Sequence, residues 1–288
     1  MTGSLLRDHF DRGEFFVAPG IQDMITAVIA GDLDFKVAYA TGYWMTASAY
    51  GLPDAGIATY TDAVNRVGTL ARCMPGAAII ADADTGYGGL LNVHHTVRGF
   101  EEAGASAIQI EDQEFPKKCG HTPYKRVIPL DDMVAKIRVA VEARTRPDTV
   151  IIARSDARQS EGFDAMLRRC EAYARAGADV IFPEALTTEA EMRQACAAVD
   201  RPVMANMADG GKTPIRSAAQ LQDMGFACAI FPAMTALAAA SAVETALLAL
   251  KRTGTSVHDS VPLYDFDKFC GLIGFEEVWA FERRWAGR

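Results

Sequence analysis

Eight short apolar runs, each followed by a segment of helical spacing, recur along the whole 288-residue chain, and this alternation most narrows what it can fold into. The runs lie at 15–18, 37–40, 77–81, 107–110, 150–153, 180–182, 203–205 and 227–231. The helical segments lie at 21–30, 61–73, 92–103, 130–143, 163–176, 188–199, 218–224 and 236–251. Strands covered on both faces read as unbroken apolar runs, and parallel neighbours need a crossover helix between them. Eight such units predict an α/β fold, a (β/α)8 barrel. An open doubly wound sheet is the alternative. The near-regular eightfold count and the lack of a GxGxxG turn favour closure. Several helices end in Ala-Gly-Ala, as at Ala103-Gly104-Ala105 and Ala176-Gly177-Ala178, where glycine supplies a left-handed cap before the next strand. Two more helices are expected at 263–272 and 275–284. Trp279, Phe281 and Trp285 make that tail too apolar for a free end, so it should dock on the barrel or on a partner subunit. No linker splits the chain, and 1–288 reads as one barrel domain whose C-terminal helices begin near 262.

Bulk properties remove several function classes. Half the residues are apolar and 23% are charged, as in a soluble globular protein with a large core. The net charge of −8, with no basic patch, argues against nucleic acid. No stretch reads as a membrane span. The closest, 227–250, contains Glu244 and reads as a buried helix. Residues 1–12 contain no apolar signal region, and the six cysteines form no CxxC pair. Reduced thiols in a cytoplasmic protein are expected.

Barrel enzymes carry their chemistry at the C-terminal ends of the strands. Thr41, Gly42 and Tyr43 follow the second run, Asp82 and Asp84 the third, Glu111 and Asp112 the fourth. Arg154, Ser155 and Asp156 follow the fifth, Glu184 the sixth and Asn206 the seventh. Asp82, Asp84 and Glu111 are hard oxygen ligands suited to a divalent ion that keeps several waters, although acids at these positions also cap helices. Arg154 can grip a substrate carboxylate with both arms or pair with those same acids. Thr41 and Asn206 can hydrogen-bond substrate oxygens.

The segment 112–128, long for a connection of this kind, contains Pro116, Gly120 and Pro123 and is followed by Pro129. It reads as a flap over the acidic end of the barrel. Within it, Cys119 stands among Lys117, Lys118, Gly120 and His121, and a thiol among cations is biased toward thiolate, a candidate nucleophile or proton donor. Other features are bland. His94 and His95 are adjacent and diverge on a helix, so they make a poor metal pair. Gly211-Lys212-Thr213 fails as a phosphate loop, because Asn206 stands where the first glycine is required and Pro214 follows. The remaining cysteines read as small core hydrophobes.

Lys117-Lys118-Cys119-Gly120-His121 resembles the signature of the isocitrate lyase and phosphoenolpyruvate mutase superfamily, in its lyase branch. The resemblance extends in order through Gly51-Leu52-Pro53-Asp54, Ala81-Asp82-Ala83-Asp84-Thr85-Gly86-Tyr87-Gly88, Ile110-Glu111-Asp112-Gln113, Ala153-Arg154-Ser155-Asp156, Phe182-Pro183-Glu184, Ala205-Asn206-Met207 and Gly211-Lys212-Thr213-Pro214. It implies a (β/α)8 barrel whose last helix is exchanged between subunits of a homotetramer, a dimer of dimers. It implies magnesium, with manganese as the other candidate ion, near Asp84, with Asp54, Asp82 and Glu111 reached through water. The catalytic group implied is Cys119, Lys117, His121 and Glu184. Substrate contacts are implied for Tyr39, Thr41, Gly42, Tyr43, Gly120, Arg154, Asn206 and Thr213.

The chain's length matches the short lyases, the methylisocitrate lyase and 2,3-dimethylmalate lyase kind. The reaction implied is a retro-aldol (Claisen-type) cleavage of a 2-hydroxy di- or tricarboxylic acid to a 2-oxo acid and a carboxylate. Cys119 would protonate the carbanion, with Lys117 and His121 tuning the thiol. Tyr43, Asp209 and Ala233 depart from residues common in relatives, which points to a substituted malate such as 2,3-dimethylmalate over 2-methylisocitrate. Carboxyphosphonoenolpyruvate mutase, oxaloacetate hydrolase or decarboxylase chemistry on the same scaffold is one alternative. A barrel that binds dicarboxylates without chemistry is another.

Overall fold

The computed structural model describes residues 3–122, 124–257 and 259–286. Pro123, one of the flap's expected loop markers, lies outside the described residues. Helix α1 (Gly3–Arg12) precedes β1 (Phe16–Ile21), α2 (Met24–Asp32) and β2 (Val37–Ala40). Helices α3 (Gly42–Tyr50) and α4 (Tyr60–Cys73) lead to β3 (Ala78–Asp82), α5 (Leu90–Glu102) and β4 (Ala107–Glu111). Then come α6 (Leu130–Ala143), β5 (Val150–Ser155), α7 (Phe163–Arg175), β6 (Val180–Pro183), α8 (Glu189–Ala198), β7 (Met204–Asn206), α9 (Ala218–Asp223) and β8 (Cys228–Phe231). Helices α10 (Met234–Thr253), α11 (Phe266–Leu272) and α12 (Phe275–Trp285) complete the described chain.

All strand pairs are parallel, in the order β6-β5-β4-β3-β2-β1-β8-β7. The remaining seam, between β6 and β7, is joined by a bridge between Ile181 and Val203 and by the Ile181 amide donating to Pro202 O at 2.9 Å. The sheet is therefore a nearly closed (β/α)8 barrel, as the eightfold alternation requires. Strand side chains alternate between two cores. Val37, Tyr39, Ile80, Ile152, Phe182, Met204 and Ile230 point inward and fill the barrel, joined by Leu6 of α1. Ala38, Ala40, Ile79, Ile108, Ile151 and Ile181 point outward against the helices, where they meet Leu70, Phe100, Ile137 and Tyr173. Helix α1 is held by Arg7, which donates to Pro147 O, Thr149 O and Asp179 Oδ1 at 3.0–3.1 Å. Gly104 and Gly177 have φ of 101° and 107°, the left-handed geometry expected before β4 and β6.

Two expectations need correction. Helices α1 and α3 were not anticipated. Helix α3 begins Gly-Tyr-Trp, weak helix formers whose pattern shows no apolar stripe. Helix α10 is not buried as expected: only Ala236 and Ala249 are buried, while Val243, Leu247 and Leu248 are exposed. By length and composition α10 is long and apolar enough to cross a membrane. Here it is the helix of the eighth barrel unit and packs on β1. The C-terminal helices leave Phe266, Trp279, Phe281 and Trp285 exposed, so within one chain the tail does not bury its aromatic residues.

Candidate active site

The C-terminal ends of the strands surround a cavity of ≈300 Å³. Asp82 closes β3, Glu111 closes β4, Arg154 lies near the end of β5, Glu184 follows β6 and Asn206 ends β7. All five line the cavity, with Tyr39, Thr41, Tyr43 and Asp54. From the flap come Lys117, Cys119, Gly120 and His121. A larger cavity, ≈440 Å³, lies at the opposite end of the barrel between α2 and α11, among Asp32, Lys36, Cys73 and Lys268. None of the site residues expected from sequence reaches it.

One side of the site is acidic. Asp82 Oδ1 accepts the Asp84 amide and Gln109 Nε2, both at 3.1 Å, and Gln109 Oε1 accepts the Tyr39 hydroxyl at 3.0 Å. Gly42 lies just behind these acids. A Cβ there would sit 3.0 Å from Asp82 Oδ2 and 3.4 Å from Asp84 Oδ1, a contact tight enough that the acids would have to give by a few tenths of an ångström. Asp84 takes a left-handed φ of 49°, which aspartate adopts more readily than most residues. Burial pushes its carboxyl up to about 7 against the attraction of Lys117, with Asp82 and Asp54 adding to the rise. Burial likewise pushes Glu111 well above the carboxylate range.

Lys117 is placed differently from expectation. Its ammonium pairs with Asp54 and lies 2.6 Å from Asp84 Oδ1, so it serves the acids and not the thiol. Burial opposes the Lys117 charge, but Asp84 and Asp54 outweigh it and raise its pKa well above normal. At Cys119 only the leaning toward thiolate is opposed. The sequence suggests a thiolate, yet burial raises its pKa, the His121 amide and Arg154 only partly opposing that. The thiol lies on the cavity wall, and its burial there favours the protonated form.

Among the described residues no three His, Cys, Asp or Glu groups are close enough to share one ion directly. Yet Asp84 Oδ1 and Glu111 Oε1 are buried with no directed hydrogen bond, although Asp84 has its lysine nearby. Acid oxygens left open in this way suit an oxygen-loving divalent ion that keeps most of its waters and takes few carboxylates. The donor set fits such an ion.

Arg154 is the opposite pole. Its Nε and Nη2 donate to Asp156 Oδ2 and Oδ1 at 2.8 and 3.1 Å, Nη2 lies 3.2 Å from Glu184 Oε2, and Nε lies 3.4 Å from Glu111 Oε2. Its guanidinium stands over the Phe182 ring at 5.2 Å. Both readings of Arg154 thus hold geometrically: it lines the cavity and is paired with the acids. Asn206 Nδ2 donates to Glu184 Oε2 at 3.0 Å and leaves its own Oδ1 buried without a partner. His121 Nδ1 accepts the Lys212 amide at 3.2 Å, and its Nε2 lies 3.6 Å from Glu184 Oε1.

The flap is a loop pinned at its base. Gln113 and Val127 form an antiparallel bridge, and the Glu114 and Ile128 amides donate to Arg126 O and Asp112 O. Gln113 also holds the Lys118 backbone from both sides, donating to its carbonyl at 2.8 Å and accepting its amide at 2.9 Å. Gly120 sits so close to Arg154 Nη2 that a Cβ there would collide with it and lie 2.8 Å from Glu184 Cγ. The loop therefore packs directly on the strand ends, and glycine permits the contact.

Thr213 is buried but does not line the cavity, and Asp84 and Gly42 lie just behind its wall. The structure adds an apolar side that the sequence reading missed. Trp44, Ile230, Pro232 and Leu237 join Ala233 along the wall. Trp44 follows Tyr43 directly after β2, and that position was the available signal.

Residues 6–251 match the family described as phosphoenolpyruvate phosphomutase. The chain is 39% identical over 285 residues to the 2,3-dimethylmalate lyase of Eubacterium barkeri, covering 99% of this chain and 98% of that protein. It is 40% identical over 282 residues to the 2-methylisocitrate lyase of Aeropyrum pernix, covering 98% and 89%. A crystal structure of 2,3-dimethylmalate lyase, a PEP mutase/isocitrate lyase superfamily member, superposes with a TM-score of 0.93 at 35% identity, covering 100% and 96%. Oxaloacetate acetylhydrolase with 3,3-difluorooxalacetate also superposes at 0.93, with 32% identity and 100% and 98% coverage. The two relatives are named as lyases of substituted hydroxy acids, and they act on carbon–carbon bonds.

Proposed function

The chain belongs to the PEP mutase/isocitrate lyase superfamily, and from that premise we propose that it cleaves the C2–C3 bond of a 2-hydroxy dicarboxylic acid to release a 2-oxo acid and a carboxylate. The observation that carries this reading is the Cys119 thiol on the wall of the same ≈300 Å³ cavity as Arg154 and the acids Asp82 and Glu111.

Magnesium, or manganese in its place, would be held near Asp84 with Asp54, Asp82 and Glu111, and when bound supplies Lewis acidity that favours ionisation of the substrate's hydroxyl. The residues supply the rest. Thr41, Asn206 and Glu184 orient the polar substrate. Arg154, fixed by Asp156, offers positive charge to the carboxylate fragment as its electrons accumulate. Cys119 gives its proton to C3 as the bond breaks, and the closed flap keeps water from doing so. His121 adds polar contact from the flap. Trp44, Ile230, Pro232 and Leu237 offer alkyl substituents an apolar wall, which favours a substituted malate such as 2,3-dimethylmalate over the more polar 2-methylisocitrate.

The same reading makes the protein a cytoplasmic homotetramer that binds neither nucleic acid nor membrane. The exposed aromatic residues of α11 and α12 support exchange of these helices between subunits, and a monomer by light scattering would refute it.

The function is tested by a coupled assay for pyruvate, with 2,3-dimethylmalate, 2-methylisocitrate and oxaloacetate offered in magnesium and in chelator. Pyruvate from a hydroxy acid in magnesium alone is expected. Oxalate and acetate from oxaloacetate would instead make it a hydrolase. Cys119→Ser should reduce turnover by more than about tenfold, or about 1.4 kcal/mol of barrier, and a smaller loss removes the proton-donor role.

A further inference from the structure

Lys125 lies outside the cavity wall, yet its ammonium is among the most enclosed charges of the molecule, its side chain 1% exposed. Such a charge is costly to bury unless its donors are met, and two acceptors meet two of the three. One is the carbonyl of Gly120, the residue after Cys119. The other is Asp156 Oδ1 at 2.9 Å. Asp156 is itself fully buried, and it also fixes Arg154, accepting Nη2 on the same Oδ1 and Nε on Oδ2. Gly120 in turn rests against Arg154 Nη2, leaving no room for a Cβ. Gly120, Arg154, Asp156 and Lys125 therefore form a closed ring of contacts. Two members belong to the flap segment and two to the barrel end.

We propose that Lys125 is a positioning residue, a latch that shapes the flap by its bond to Gly120, holds the flap down on Asp156 and, through Asp156, sets the guanidinium of Arg154 only when the flap is closed. The proposal deepens the lyase reading and rests on it for its catalytic consequence. Lys125 touches no reacting atom. Its two acceptors tie the placement of the Cys119 loop to the placement of the Arg154 guanidinium. The Lys125–Gly120 bond lies within the flap segment, so a flap that lifts breaks the tie between Lys125 and Asp156. Gln159 Nε2 reaches the same Gly120 carbonyl at 3.3 Å and is a weaker second tie. On the other side of the thiol, the Gln113 clamp on Lys118 is uncharged and independent of Arg154.

The test is alkylation of the whole protein by iodoacetamide, followed by peptide mass analysis. Cys119 is compared with Cys73 and Cys196, which are half-buried elsewhere. In Lys125→Met, Asp156 keeps its Arg154 partner, and Cys119 should label about tenfold faster while Cys73 and Cys196 keep their rates. With the preferred hydroxy acid, kcat should fall about 100-fold and KM change less than fivefold, as expected when a 1 Å misplacement affects the transition state more than binding. Gln159→Leu, a substitution at an exposed position, should move Cys119 labelling the same way by a smaller factor and keeps the test open if Lys125→Met does not fold. Unchanged Cys119 labelling in the folded variants overturns the latch, and so does equal acceleration at all three cysteines, which marks general loosening. Because labelling needs no turnover, a protein inactive toward every hydroxy acid would refute the lyase reading while leaving the latch to be judged on its own.

Discussion

Gly120→Ala isolates flap closure from the rest of the fold. Gly120 is not among the residues with left-handed φ, so alanine is sterically allowed on the backbone and its whole effect lies in the new methyl. That methyl would be 2.8 Å from Glu184 Cγ and closer still to Arg154 Nη2, where an ordinary contact begins at 3.4 Å. The flap must therefore retreat by at least about 0.6 Å, and by nearer 1 Å to clear the guanidinium, because Arg154 is held from behind by Asp156. A displacement of about 1 Å at a reacting group costs about 100-fold in rate, roughly 2.7 kcal/mol of barrier. The barrel core is untouched, so the melting temperature should shift by less than about 3 °C. The assay is kcat/KM for pyruvate release, beside a thermal melt. Activity within threefold of the parent would show that Gly120 does not seat against Arg154 during turnover, and the closed-flap reading would fail. A collapse of the melting temperature would show that the glycine serves stability instead.

Three further outcomes follow from the same geometry. Burial raises the Cys119 pKa, so the proton donor is intact at neutral pH and is lost only as pH climbs through that raised value. Its iodoacetamide labelling should accelerate steadily from pH 7 to pH 9, and a plateau below pH 8 would mark a neutral-pH thiolate and refute the assignment. Arg154→Lys removes the fork that serves Asp156, Glu184 and Glu111 together, and should lower kcat/KM by about 100- to 1,000-fold with the fold retained by circular dichroism; a loss under tenfold would refute its role toward the departing carboxylate. Leu70→Ala, at a fully buried position of α4, should cost about 2–5 kcal/mol in urea unfolding with kcat unchanged, and a cost below 1 kcal/mol would contradict its place in the core.

Much of this molecule could be read along the chain. Parallel strands buried on both faces must be continuously apolar, and all eight runs became strands within a few residues of the expected bounds. The acids, Arg154, Glu184 and Asn206 stood at the ends of those runs, and a barrel brings strand ends together at one mouth. Helix α3 was not legible, because its aromatic start has weak helical propensity and it forms in its tertiary setting. Trp44 was missed with it. The solvent-facing apolar side of α10 was also misread, since composition alone does not say whether an apolar face turns toward its own barrel.

Sequence alone determined the eightfold alternation, the order of polar groups at the strand ends and a cysteine among cations in a long connection. These are local properties, set by backbone geometry and by which residues water excludes. The burial that raises the Cys119 pKa, the pairing of Lys117 with Asp54 and Asp84, and the ring from Lys125 through Asp156 to Arg154 were decided only by the tertiary structure. Charges far apart in the chain interact strongly only where folding brings them within a few ångströms and strips away the water between them.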